Sequence, residues 1–187
     1  MTAHCIRLPP GTDLVPALQE CARQAMATTT AIQSANNSPS TASSLGNGAI
    51  VLTAVGSLEA VTLRMASAPK QKKKNNDKEG TTTNDIRVWN NQCFEIVSLV
   101  GTFDASGAKH LHMSLSDRHG ETIGGHLVAG TVYTTVELVL GTVGGGVVFT
   151  RRMDAATGYN ELYITKEGQQ DTNDEDMDGP EEDNQQM

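Results

Sequence analysis

FEIVSLVGTFDASGAKHLHMSLSDRHGETIGGHLVAG, residues 94–130, contains three runs that read as strands: Phe94–Phe103, His110–Ser116 and Gly124–Ala129. Apolar and polar residues alternate along them, and a period of two puts one face of a strand in a core and the other towards solvent. Turn-forming residues separate the runs, Asp104-Ala105-Ser106-Gly107 first and Asp117-Arg118-His119-Gly120 second. Such short connections join antiparallel neighbours. This stretch therefore predicts consecutive hairpins.

Further strand signals flank it. Val132–Leu140, Val147–Arg152 and Glu161–Thr165 follow, with Gly144-Gly145-Gly146 read as a turn; Ile50–Val55 and Ala60–Met65 precede it around Gly56-Ser57; residues 4–8 make a short leading strand. Pro9-Pro10-Gly11 ends that strand. A helix then opens near Thr12 or Asp13, either of which can cap free N–H groups, and Pro16 is tolerated in its first turn. Leu14, Leu18, Cys21, Ala22, Ala25 and Met26 recur at three- and four-residue spacing, so the helix lays one apolar face on the sheet as far as about Thr28. The expected fold is α/β in the α+β sense, a largely antiparallel central sheet with one main helix packed on it.

Two stretches interrupt the pattern. Residues 34–48 are Ser, Asn, Thr, Gly and Ala with one Pro and one Leu, and residues 67–84 are rich in Lys, Asn and Thr. Neither can bury enough apolar surface to order itself, so both are expected to be flexible inserts. The net charge of −8 is unevenly distributed: nine acidic residues and no Lys or Arg lie from Glu167 onward, leaving residues 1–166 at about +1. We therefore read 1–166 as one domain and 167–187 as a disordered acidic tail. A nearly neutral body lacks the strong basic field of a typical nucleic-acid binder. The three cysteines, Cys5, Cys21 and Cys93, are too widely spaced to suggest a disulfide framework. With no apolar leader and no membrane-length run, the sequence predicts no membrane association and a cytoplasmic or nuclear location.

His110-Leu111-His112 carries the chemistry. Alternate residues of a strand share a face, so the two imidazoles project together while Leu111 points into the core. His126, after Gly124-Gly125 on the partner strand, is brought back beside the pair by the turn at 117–120, and the glycines permit close backbone approach. Three neutral imidazoles and an open fourth position are the usual composition of a ligand-binding or catalytic zinc site; iron, nickel or copper would accept the same donors. Polar-face histidines on a half-exposed sheet are the plainer alternative. His119 reads as a solvated turn residue and His4 as incidental. Glu95, Glu137 and Arg64 form a candidate polar cluster, near the metal or at a subunit interface, or else a plain salt bridge. Lys70, Lys72, Lys73 and Lys74, with Lys78, form a candidate phosphate-contacting patch, with a solvated loop as the alternative.

Beyond these local readings, the chain resembles the PPC (plants and prokaryotes conserved) domain family. Phe94–Phe103 is similar to its core strand, and His110–Asp117, Gly120, Gly124-Gly125-His126-Leu127 and Gly130 to its histidine hairpin. Arg7, Pro10-Gly11 with Asp13-Leu14, and Gly56-Ser57-Leu58 with Leu63-Arg64 match the opening; Glu137, Thr157-Gly158-Tyr159 and Glu161-Leu162 match the close. The resemblance implies a homotrimer of α/β subunits and, in the prokaryotic type, a metal held at positions matching His110, His112 and His126. Plant members of the family carry an Arg-Gly-Arg-Pro AT-hook, which this sequence lacks. The expected function is a trimeric regulatory or ligand-binding module holding a divalent metal, zinc first, with DNA or chromatin association as an additional role. The alternative is a metal-dependent enzyme acting on a small carbonyl or carboxylate substrate, since a bound ion with an open position polarises a carbonyl or activates water.

Overall fold

The structure, a computed structural model, describes residues 1–36, 48–66 and 85–166. Its elements run β1 (Thr2–Leu8), α1 (Leu14–Asn36), β2 (Ala49–Arg64), β3 (Ile86–Phe103), β4 (Lys109–Ser116), β5 (Thr122–Thr142), β6 (Val147–Met153) and β7 (Asn160–Lys166). All strand pairings are antiparallel, as the short turns require. The main sheet has the order β1-β5-β2-β3-β4, and β4 also pairs with β5. Strands β5, β2, β3 and β4 thus close into a ring, with β1 added on the far half of β5. Strands β6 and β7 form a separate hairpin.

The core follows from the alternation. Leu111, Met113 and Leu115 point inward from β4 and meet Phe94, Leu99 and Phe103 of β3, Leu58, Val61 and Leu63 of β2, and Leu127 and Val132 of β5 in one apolar cluster. Helix α1 adds Leu14, Leu18, Ala22 and Met26, all buried. Burying each large aliphatic side chain contributes roughly 1.5–3 kcal/mol. Among the described residues, no helix is long and apolar enough to cross a membrane.

Several expected boundaries are corrected. The two strands predicted at 50–55 and 60–65 are one strand, because register shifts between Gly56, Leu58 and Ala60 absorb the irregularity without breaking the ladder. Those at 124–129 and 132–140 are likewise continuous, since Ala129, Gly130 and Thr131 stay paired with Thr62, Val61 and Ala60. Strand β3 begins at Ile86 rather than Phe94, its first residues pairing with the end of β2. The helix passes Thr28: Thr28, Thr29 and Thr30 satisfy their hydroxyls within it on the carbonyls of Gln24, Ala25 and Met26, and no breaker follows until Pro39. Residues 34–36, assigned above to the first insert, therefore belong to α1. The rest of that insert to residue 47, residues 67–84 with Lys70, Lys72, Lys73, Lys74 and Lys78, and the acidic tail lie outside the described residues.

Candidate metal centre

Two turns and two glycines position the histidines. Asp104, buried, accepts the backbone N–H groups of Ser106 and Ala108, both at 2.9 Å, and so shapes the turn that delivers His110. Asp117 does the same in the next turn, taking the N–H of His119 at 2.8 Å and of Glu121 at 2.9 Å. That turn fixes the register in which His112 stands directly opposite His126. At Gly101, opposite Leu111, φ is +144° and a Cβ would lie 2.0 Å from the His110 carbonyl oxygen. At Gly125, a Cβ would lie 2.9 Å from the Arg64 carbonyl oxygen. Glycine at these positions lets β3 approach β4, and β5 approach β2, as closely as they do.

The result is a triangle of rings. His110 and His112 have centroids 5.0 Å apart, His110 and His126 5.3 Å, and His112 and His126 5.5 Å. The Nε2 atoms of His110 and His112 are 3.1 Å apart. Two nitrogens bound tetrahedrally at ~2.05 Å lie ~3.3 Å from each other, so this pair already has the spacing of a chelate. One nitrogen from each ring falls within 4.8 Å of the others. Nδ1 of His126 is buried and without a hydrogen-bond partner. An orphaned buried nitrogen beside two converging imidazoles fits a cation that the donors would share.

The electrostatics favour the neutral form of two of the donors, His126 and His110. Burial, then the charges of Arg64, His110, His112 and Lys109, push His126 down from its ordinary 6.5 to about 4. His110 is also lowered, first by burial and then by His112, Arg151 and Arg64, with Glu161 opposing. A neutral imidazole is the form that binds a metal, so protons compete weakly here near neutral pH.

The other predicted residues separate. Arg64 stands opposite His126 in the ladder and shares its face. Glu95 stands opposite Ser57 and Glu137 opposite Val55, both exposed and further along β2. Arg64 is thus at the histidines and the two glutamates are not beside it. Glu137 instead lines an outer-face groove with Arg7, Cys5 and Val55, of about 520 Å³. His119 is exposed in its turn, as read from the sequence. His4 is not incidental: its Nε2 lies 3.2 Å from Thr29 Oγ1 and 3.1 Å from Thr142 Oγ1, tying β1 to the helix and to β5. Sequence reasoning missed Arg151, whose Nη2 donates to Thr102 Oγ1 at 2.8 Å. Thr102 stands opposite His110. Nothing local marks Arg151; only the packing of the β6–β7 hairpin against β3 brings it there.

A ring of antiparallel strands with one helix on it and three outward histidines on adjacent strands defines a class of small α+β domain with a surface imidazole site. The chain belongs to the Plants and Prokaryotes Conserved domain family (PCC, also written PPC), whose profile matches residues 39–144. It is 36% identical over 167 residues to the bifunctional protein GlmU of Synechococcus sp. strain JA-3-3Ab, covering 89% of this chain and 21% of that protein. The chain thus spans about a fifth of the length of the curated relatives it matches. Among solved structures, a hypothetical protein from Salmonella cholerae-suis (Salmonella enterica) superposes with a TM-score of 0.64 at 27% identity, covering 88% of this chain and 94% of that one. A protein from Bacteroides thetaiotaomicron, provisionally named DNA-binding, gives 0.60 at 17% identity over 86% and 91% of the two chains. A metal-containing protein from Archaeoglobus fulgidus gives 0.57 at 20% identity over 87% and 94%. At those lower identities the likeness is one of fold.

Proposed function

We propose that this chain is a metal-binding, ligand-accepting module in which His110, His112 and His126 hold one divalent cation, zinc in the first instance, and leave a coordination position open. The observation that carries this reading is the convergence of one nitrogen from each ring within 4.8 Å, with the His110–His112 pair at 3.1 Å. The orphaned Nδ1 of His126 supports it. When bound, a cation of this kind supplies Lewis acidity at the open position. The protein's own contribution is to hold the rings fixed on two strands of a closed sheet, with His110 and His126 disfavoured as cations.

The module would work as a homotrimer. Exposed apolar side chains on the outer faces of β2 and β3, including Leu52, Val55, Val97 and Val100, support burial against other copies. Val100 stands opposite His112, so such a contact would border the centre. DNA association, the property named for the Bacteroides relative, would be a separate function of the Lys70, Lys72, Lys73 and Lys74 segment, tested by salt-titrated binding to A·T-rich duplex with and without residues 67–84.

Elemental analysis at a measured oligomeric mass tests the central reading. The purified chain should carry about one zinc-type ion per subunit, and a His110→Ala/His112→Ala double variant, folded by circular dichroism, should carry none. Equal metal content in the two proteins overturns the reading.

A further inference from the structure

The histidines are bracketed by guanidinium groups. Arg64 stands across the ladder from His126 on one side, and Arg151 reaches over from β6 to Thr102, the residue opposite His110, on the other. Directly opposed residues of an antiparallel sheet share a face, so these groups look towards the same region as the rings. Lys109 adds a weaker positive charge felt at His126, and the acid acting against the cations at His110 is Glu161. Among the described residues, neither Arg64 nor Arg151 forms an ion pair. Arg151 moreover has a buried Nε–H with no acceptor.

Charge decides what such a site accepts. Neutral imidazoles bring nothing to offset a divalent cation, and two arginines and a lysine against one glutamate leave the region strongly positive before the cation arrives. A neutral fourth ligand would leave that excess uncompensated at close range. An anionic one is drawn by the cation and the guanidinium groups together. The planar guanidinium presents paired donors that match the oxygens of a carboxylate or phosphate.

We propose that the open position beside His110, His112 and His126 takes a small oxyanion, carboxylate or phosphate, gripped by the guanidinium groups of Arg64 and Arg151. This rests on the metal reading above and names the ligand class for the same site. Arg64 and Arg151 are ligand-binding residues in this account, not metal ligands. This role would explain why the charged Arg151 side chain on β6 is held against Thr102 of β3 instead of lying in solvent.

The test uses the full chain loaded with cobalt(II), whose visible absorption reports a change in coordination. Sodium acetate and inorganic phosphate are titrated separately into wild type, Arg151→Gln and Arg64→Gln. The expected result is a saturable spectral change in wild type with at least one of the two anions. Its Kd should rise about tenfold or more in each variant, the loss expected for one charge-assisted hydrogen bond, while cobalt content stays near that of wild type. The anion giving the tighter Kd identifies the carboxylate or the phosphate source. An unchanged Kd in both variants, or no spectral response to either anion in cobalt-loaded wild type, overturns the oxyanion proposal and leaves the metal reading standing. Failure of wild type to take up cobalt sinks both. Should Arg151→Gln not fold, Arg64→Gln carries the comparison alone, since Arg64 lies on a different strand.

Discussion

Replacing Gly101 by alanine gives the sharpest measure of how tightly the fold holds the candidate centre. At φ +144° an L side chain is strained by about 1–3 kcal/mol wherever it sits. Gly101 adds a second cost, because its Cβ would lie 2.0 Å from the His110 oxygen, 2.9 Å from the His110 carbonyl carbon and 2.9 Å from the Leu111 Cα. All three are backbone atoms, so no flexible side chain can yield. Strand β4 must move away from β3, weakening at least one ladder hydrogen bond for about a further 1 kcal/mol and tilting His110. The total expected is about 2–4 kcal/mol. Gly120→Ala is the matched control: its φ is +80° but nothing lies within 4 Å of the new Cβ, so it should cost about 1 kcal/mol. Urea unfolding of both variants with chelator present measures the two costs free of any metal. Gly101→Ala should also take up less zinc than Gly120→Ala when zinc is limiting. If the two variants agree within about 0.5 kcal/mol and bind zinc alike, the close approach at residue 101 does not position the site.

Three further outcomes follow from the geometry. Asp117→Ala removes the acceptor for the N–H groups of His119 and Glu121 and should cost about 1–2 kcal/mol by thermal or urea unfolding, with weaker zinc binding because the His112–His126 register loosens. Metal-free protein should lose stability in acid. His126 is held at about 4 in the fold against 6.5 in the unfolded chain, so between those values the unfolded state binds more protons. The contribution is whole above about pH 6.5 and is lost as pH falls towards 4, amounting to about 1–2 kcal/mol after allowance for a half-exposed ring. A fall in urea midpoint that is no smaller in His126→Asn would count against that assignment. Finally, zinc at a thousand times its Kd should stabilise the chain by about 4 kcal/mol, raising Tm by roughly 10 °C in a way that chelator reverses and His112→Ala abolishes.

What could be read from the sequence was whatever depends on local periodicity. His110-Leu111-His112 needs only the two-residue period of a strand, and His126 needs only the short turn at 117–120 to return beside them. The face of α1 carrying Leu14, Leu18, Ala22 and Met26 was equally local. The helix end was not, because threonines that argue against continuation were satisfied by their own hydroxyls. Nor was the start of β3, where Ile86, Arg87 and Val88 are exposed and show no alternation. Within one subunit Arg64 is not grouped with Glu95 and Glu137, for want of register. Arg64 and Ser57, the residue opposite Glu95, are seven positions apart on β2, or about 23 Å along an extended strand. Arg151 depends on a hairpin folding back over a strand nearly fifty residues earlier, which no nearby pattern encodes.

Strand β4 is bonded to β3 along its length and, from His112 onward, to β5 as well. A segment gripped from both flanks has no loose margin from which to peel. Amide hydrogens there should exchange with solvent only when the whole ring opens, so the imidazole platform ought to outlast fraying elsewhere and vanish all at once.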